Sequence, residues 1–135
     1  MPTATPPSGR PPKILVVEDD AHTRAMLKDF VIQQGYQGQW VKDGAAALRA
    51  LTQETPDLIL LDILMPGLSG LEALPSIRAL APGVPVVMVS GTPDEALARE
   101  TLAHGAFDYV VKPVDLHYLA QTVELALTMA QLGQG

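Results

Sequence analysis

Acidic residues stand at the ends of two apolar runs in this sequence. Glu18-Asp19-Asp20 follows Ile14-Leu-Val-Val17, and Asp62 follows Leu58-Ile-Leu-Leu61. Uninterrupted apolar runs of this length read as strands buried on both faces, so each acid lies where its strand leaves the core. Met65-Pro66-Gly67 then turns the chain away and leaves Asp62 accessible. Two further runs end in Ser90-Gly91 and Lys112-Pro113, adding a hydroxyl beside a residue with no side chain, and an ammonium. In open parallel sheets ligands bind outside the carboxyl ends of the strands, and in the usual order the first and third strands are neighbours. Glu18, Asp19 and Asp62 would then crowd together. Close carboxylates repel, and a hard divalent cation such as Mg²⁺, which takes oxygen ligands and keeps several waters, is the simplest relief. A positioned carboxylate, a metal and an ammonium are what phosphoryl transfer to a carboxylate needs, because the transferred group carries its charge on its equatorial oxygens.

The elements that must hold these residues follow from the hydrophobic pattern. From Lys13 onward, short apolar runs alternate with helical patterns: 14–17, a more polar 36–41, 58–61, 84–89 and 108–111. Five strands alternating with helices of similar length imply repeated βαβ units, hence an α/β fold with a doubly wound parallel sheet and five helices. The polar second strand belongs at an edge. Ser69-Gly-Leu-Glu72 and Thr92-Pro-Asp-Glu95 both match the capping box, with Pro93 at the first helical position. Asp20, Asp43 and Asp115 are the caps expected for the other three helices, and Gly35 and Gly105 fit the left-handed residue just past a helix end. Pro75 falls about a turn and a half inside the third helix, which must kink there or start late. The Lys112-Pro113 bond is expected to be cis, since the lysine must point into the site while the chain turns sharply from strand to helix.

A chain of 135 residues fits one domain with a real core. Residues 1–12 hold five of the twelve prolines, with Thr, Ser and Gly between them, and read as a disordered tail. The ordered domain is expected over 13–131, with 132–135 a disordered end and no output domain after the fifth helix. Nine basic against fifteen acidic residues, a formal charge of -6, argue against direct nucleic-acid binding. The absence of cysteine excludes disulfides and thiolate metal sites. No apolar run approaches a membrane span and no hydrophobic signal segment opens the chain, so the expected setting is cytoplasmic, with no membrane partner.

Four segments together resemble the receiver domain of two-component response regulators: 14–20 (ILVVEDD), 60–67 (LLDILMPG), 89–91 (VSG) and 105–113 (GAFDYVVKP). The match runs over about 13–131. It implies a flavodoxin-like strand order 2-1-3-4-5. It also implies that Asp62 is the phosphoacceptor, that Asp19 binds Mg²⁺ (or Mn²⁺) directly and Glu18 through water, and that the backbone carbonyl of Leu64 is a further ligand. Lys112 would pair with the phosphoryl group, Ser90 would bond one of its oxygens, and Tyr109 would be the aromatic switch. The implied partners are a sensor histidine kinase or phosphotransfer protein upstream, and a downstream protein or effector domain. A phosphorylation-dependent homodimer is a further expectation. The protein would be a signalling switch rather than an enzyme with external substrates, catalysing only its own phosphorylation and dephosphorylation. It would be a stand-alone receiver or a fragment of a longer regulator. Val114, where many members have Phe, and Pro75 depart from the common pattern.

Taken singly, each residue has an ordinary reading. Glu18-Asp19-Asp20 is a loop with a helix cap, Ser90 a satisfied strand-end hydroxyl, Lys112 a solvated charge and Tyr109 simple packing. It is their joint placement at strand ends that favours a site. His22, His104 and His117 lack metal-ligand spacing and read as surface or helix-end residues, and Trp40 reads as half-buried packing. Two other functions compete. A Mg²⁺-dependent aspartyl phosphatase or phosphotransferase would need a substrate pocket and lid, for which the connections look too short. A flavin or nucleotide module would want a glycine- or hydroxyl-rich phosphate loop after the first strand, where this chain has acids.

Overall fold

A computed structural model describes residues 9–65, 67–91 and 93–133. Five strands, β1 (Lys13–Val17), β2 (Gln37–Val41), β3 (Leu58–Asp62), β4 (Val86–Ser90) and β5 (Asp108–Val111), alternate with α1 (Ala21–Gln33), α2 (Gly44–Gln53), α3 (Gly70–Leu80), α4 (Glu95–Ala103) and α5 (Leu116–Gly133). The strands form one parallel sheet in the order β2-β1-β3-β4-β5, the order expected. All residues of β3 and β4 are buried, which is why neither shows polar alternation.

The two faces of the sheet carry separate cores. Leu15, Val17, Ile59, Leu61, Val86 and Met88 pack against Ala47, Leu51, Leu74 and Ile77 of α2 and α3. Ile14, Val16, Leu58, Leu60 and Val87 pack on the other face against Leu27 and Phe30 of α1 and Leu119 and Val123 of α5. β2 lies at the edge, as its polar sequence predicts. There the Trp40 ring lies across Gly38, where a Cβ would meet it at 2.1 Å, and the Lys28 ammonium stands 5.3 Å from the ring centroid. The ring packs against the α1–α5 core on that face of the sheet, with the cation over it.

Helix ends explain the tight connections. Asp20 and Asp43 accept the Thr23 and Ala46 N–H groups at 2.8 and 2.7 Å, and Asp115 accepts those of His117 and Tyr118. The reciprocal Ser69–Glu72 box is present. After α1 and α4, Gly35 and Gly105 take positive φ of 83° and 98°, letting the next residues, Tyr36 and Ala106, bond back to Val31 and Thr101 at 3.0 Å.

Several expectations need correction. α4 is capped by Asp94, which accepts the Leu97 N–H at 3.1 Å, so the helix begins at Glu95 and Pro93 precedes the cap. Thr92 lies outside the described residues. Aspartate is at least as good a cap as threonine, and this register places Glu95 in the first turn, where the helix dipole favours an acid. α3 does not start late: it runs from Gly70 through Pro75, whose side chain is exposed. The described residues run beyond 13–131 at both ends. Pro12 is buried and its carbonyl accepts the Gln37 N–H at 2.9 Å, Arg10 lies 3.6 Å from Asp57, and Leu132 and Gly133 belong to α5. Residues 1–8, 134 and 135 lie outside the described part.

Candidate functional site

The register of the sheet brings the acids together. Val17 pairs with Leu61, so the chain leaves β1 for Glu18-Asp19-Asp20 beside the point where β3 ends in Asp62. Glu18, Asp19 and Asp62 each offer a carboxylate oxygen within 4.8 Å of the others. Glu18 and Asp62 are 1% and 3% exposed, whereas Asp19 is open to solvent. Lys112, just past β5, reaches this cluster: its ammonium is 2.9 Å from Glu18 Oε1 and 3.7 Å from Asp62 Oδ1. The Lys112–Pro113 bond is cis, as expected, and the Lys112 N–H donates to the Ser90 carbonyl at 2.7 Å.

Electrostatics shows the strain of this gathering. Burial, followed by the hydrogen bond and like charge of Glu18, pushes the Asp62 carboxyl up to about 7; Lys112 opposes this and Asp19 adds to it. Burial works against the charge of Lys112, but the carboxylates of Glu18 and Asp62 outweigh it and hold its pKa above the ordinary lysine value. Glu18 Oε2 accepts the Asp20 N–H at 3.1 Å, while buried Oε1 faces the Lys112 ammonium at 2.9 Å. An all-carboxylate donor set with three oxygens within 4.8 Å of one another fits a hard cation such as Mg²⁺.

The remaining expected residues sit around this centre. Ser90 is fully buried at the end of β4, one residue beyond Val89, the partner of Asp62. Leu64 approaches through its backbone, its N–H donating to Asp62 Oδ1 at 3.3 Å while its side chain is 60% exposed. Tyr109 lies on the next strand over from Ser90. It is half-buried on β5, paired with Met88 and packed against the same core as Leu97 of α4. Ser90 lies two residues beyond Met88, so it and Tyr109 project to one face of the sheet. His22, His104 and His117 are exposed, and Val114 is half-buried against the α1–α5 core.

Two residues at the site were not legible in the sequence. Arg24 Nη1 donates to the carbonyls of Glu18 and Asp19 at 2.9 and 3.2 Å. Gly70, the first residue of α3, lies so close to β3 that a Cβ would stand 2.0 Å from the Asp62 carbonyl oxygen, and its N–H donates to the Ile63 carbonyl at 2.8 Å. Arg24 is six residues from Glu18 and Gly70 eight from Asp62. Only the turns between them create these contacts.

A doubly wound sheet with strand order 2-1-3-4-5 and acids, hydroxyl and lysine at its carboxyl edge belongs to a class of phosphorylation-linked signalling domains. Residues 14–124 match the response regulator receiver domain, and the chain belongs to that family: it is a receiver domain of two-component response regulators. It is 35% identical over 120 residues to the Regulatory protein AtoC of Escherichia coli (strain K12), covering 89% of this chain and 26% of that protein. To the DNA-binding response regulator MtrA of Mycobacterium leprae (strain TN) it is 39% identical over 101 residues, 75% of this chain and 44% of that protein. Among solved structures, a CheY-like receiver domain protein from Methanospirillum hungatei JF-1 superposes with a TM-score of 0.86 at 28% identity, covering 93% of this chain and 99% of that one. NtrX from Brucella abortus gives 0.86 at 32% identity, covering 92% of this chain and 28% of that one. The chain spans about a quarter of the length of the first curated relatives it matches. No helix among the described residues is long and apolar enough to cross a membrane.

Proposed function

We propose that Asp62 accepts a phosphoryl group from a sensor histidine kinase or phosphotransfer protein, in a Mg²⁺-dependent reaction, and that this switches a protein-interaction surface. A carboxylate oxygen of Asp62 attacks phosphorus, the bond from phosphorus to the donor's histidine nitrogen breaks, and an acyl phosphate results. Water later attacks that phosphorus and restores the carboxylate. The reading is carried by one observation: Lys112, just past β5, has its ammonium 2.9 Å from Glu18 and 3.7 Å from Asp62, poised between a cation-site acid and the acceptor. Glu18, Asp19, Asp62 and the Leu64 carbonyl would hold Mg²⁺, which when bound neutralises charge on the phosphoryl oxygens. Lys112 supplies a second positive charge from the carboxyl end of β5. An aspartyl phosphatase acting on external substrates is not favoured, since the chain belongs to a family of signalling domains.

Acetyl phosphate with Mg²⁺ should add one acid- and base-labile phosphoryl group, read by intact-protein mass spectrometry, and Asp62→Asn should add none. Persistence of the adduct in that variant would sink the assignment.

Readout would run through Ser90 and Tyr109. They share a sheet face, so a Ser90 hydroxyl drawn to a phosphoryl oxygen changes the space beside the Tyr109 ring, and α4, β5 and α5 form the signalling face. The phosphoryl group shifts the population toward the state that Ser90 and Lys112 both reach, a coupling on the order of 1–3 kcal/mol. Ser90→Ala should still be phosphorylated yet show weaker NMR shift changes over 93–120 with beryllofluoride. Wild-type changes there would exclude Ser90 as the relay. Some relatives are named as DNA-binding regulators. With a net charge of -6, this chain would reach DNA only through an effector domain of a longer protein, and its setting would be the cytoplasm.

A further inference from the structure

We propose that Arg24 is a positioning residue of the cation site, holding the Glu18–Asp19 corner in the shape that turns both carboxylates toward Asp62. The inference rests on the Mg²⁺ reading of the same site. Three features of the chain lead to it. The paired register of β1 ends at Val17, with the Glu18 N–H still donating to the Val41 carbonyl at 3.0 Å, and the helical bonds of α1 begin at the Asp20 carbonyl, which accepts the Arg24 N–H at 2.9 Å. The carbonyls of Glu18 and Asp19 therefore fall between two ladders, with a partner in neither. Arg24 Nη1 reaches back and bonds both, at 2.9 and 3.2 Å.

Second, Arg24 is the fourth residue of α1, close to the positive end of the helix dipole, where a cation is disfavoured. Its position there is accounted for by what it bonds. Third, the two acids depend on it unequally. Glu18 is fixed at its side chain by the Asp20 N–H at 3.1 Å and by Lys112 at 2.9 Å. The Asp19 carboxylate is exposed, and the backbone that carries it is held at its carbonyl by Arg24.

Arg24 also carries positive charge, which by itself would repel Mg²⁺. Its hydrogen bonds act at contact distance on the ligand backbone, whereas its charge acts on the cation through partly solvated surroundings where salt screens it. Positioning should therefore win. The two effects predict opposite signs.

The test is Mg²⁺ titration by calorimetry on the full chain, wild type against Arg24→Ala and Arg24→Lys, with the metal-free Tm of each measured alongside. Loss of a group that orients metal ligands typically weakens affinity tenfold or more, so Arg24→Ala should bind Mg²⁺ roughly tenfold more weakly. Arg24→Lys keeps the charge but not the planar donor group, and should fall between the two with a metal-free Tm close to wild type. Should Arg24→Ala fail to fold, Arg24→Gln, with an uncharged amide donor, takes its place with the same expected weakening. Unchanged affinity in the alanine or glutamine variant overturns the proposal. Tighter binding overturns it in favour of charge repulsion, and an affinity loss in Arg24→Lys matched by a collapse of its metal-free Tm reduces Arg24 to a structural role. A wild type that binds no Mg²⁺ would instead overturn the cation reading itself, an outcome visible before any variant is compared.

Discussion

Gly70→Ala is expected to lower the Tm by about 10 °C or more and to slow phosphorylation of Asp62 beyond what the lost stability explains. The added Cβ would stand 2.0 Å from the Asp62 carbonyl oxygen, 2.8 Å from its carbon and 2.9 Å from the Ile63 Cα. All three are backbone atoms of the chain leaving β3, so no flexible side chain can swing aside. Either α3 lifts from the sheet edge, loosening Ala73, Leu74 and Ile77 from their core, or the Asp62 peptide tilts and re-aims the carboxylate. Overpacking of this kind costs about 1–3 kcal/mol and more when backbone meets backbone, and at this chain length each kcal/mol moves the Tm by several degrees. The bond from Gly70 N–H to the Ile63 carbonyl, 2.8 Å long, ties the two segments and makes the first outcome costly too. Thermal melts and acetyl phosphate labelling at a temperature where both proteins are folded would check this. A variant with wild-type Tm and labelling rate would show that the segments part easily and that Gly70 sets nothing.

Much of this architecture was legible because the chain writes it locally. The runs 14–17 and 58–61 are buried on both faces, and their alternation with helical patterns points to a parallel sheet covered by helices. Asp62 stands at the end of one run and Lys112 just after another, so their meeting followed once the strands were ordered. What the sequence left dark are contacts that turns create. Gly70 reads as part of the Ser69–Glu72 capping box, and nothing local reveals that it faces the backbone of Asp62. Arg24 reads as one more charge on an amphipathic helix. The start of α4 was misplaced for a different reason: Thr92 and Asp94 are both competent caps two residues apart, and the helix uses Asp94. Pro75 likewise looked like a boundary, but a helix with a complete capping box and buried Ala73, Leu74 and Ile77 holds together across it, with the ring turned to solvent.

The crowding of the acids should be measurable as stability that depends on pH. Asp62 has its carboxyl pushed up to about 7, chiefly by burial and then by Glu18. In the unfolded chain it returns to the ordinary aspartate value near 4. The folded state therefore holds this proton more tightly than the unfolded state. A group of that kind contributes its full stability below about pH 4 and loses it progressively as pH rises through 7. At pH 8 without metal, the folded protein must keep Asp62 ionised beside Glu18 with Lys112 as its compensation. Asp62→Asn supplies a neutral side chain of the same shape at every pH. Without Mg²⁺ the variant should melt roughly 5–10 °C above the wild type at pH 8, and the gap should close as the pH is lowered toward 4. Millimolar Mg²⁺ binds the folded arrangement and not the unfolded chain, so at pH 8 it should raise the wild-type Tm and narrow the gap from the other side. Melts in a chelating buffer over pH 4.5–8, repeated with Mg²⁺, decide the matter. Equal melting temperatures across that range, or a wild type that is the more stable protein at pH 8 without metal, would mean that Lys112 already balances the three carboxylates and that the site has no charge left for a cation to relieve.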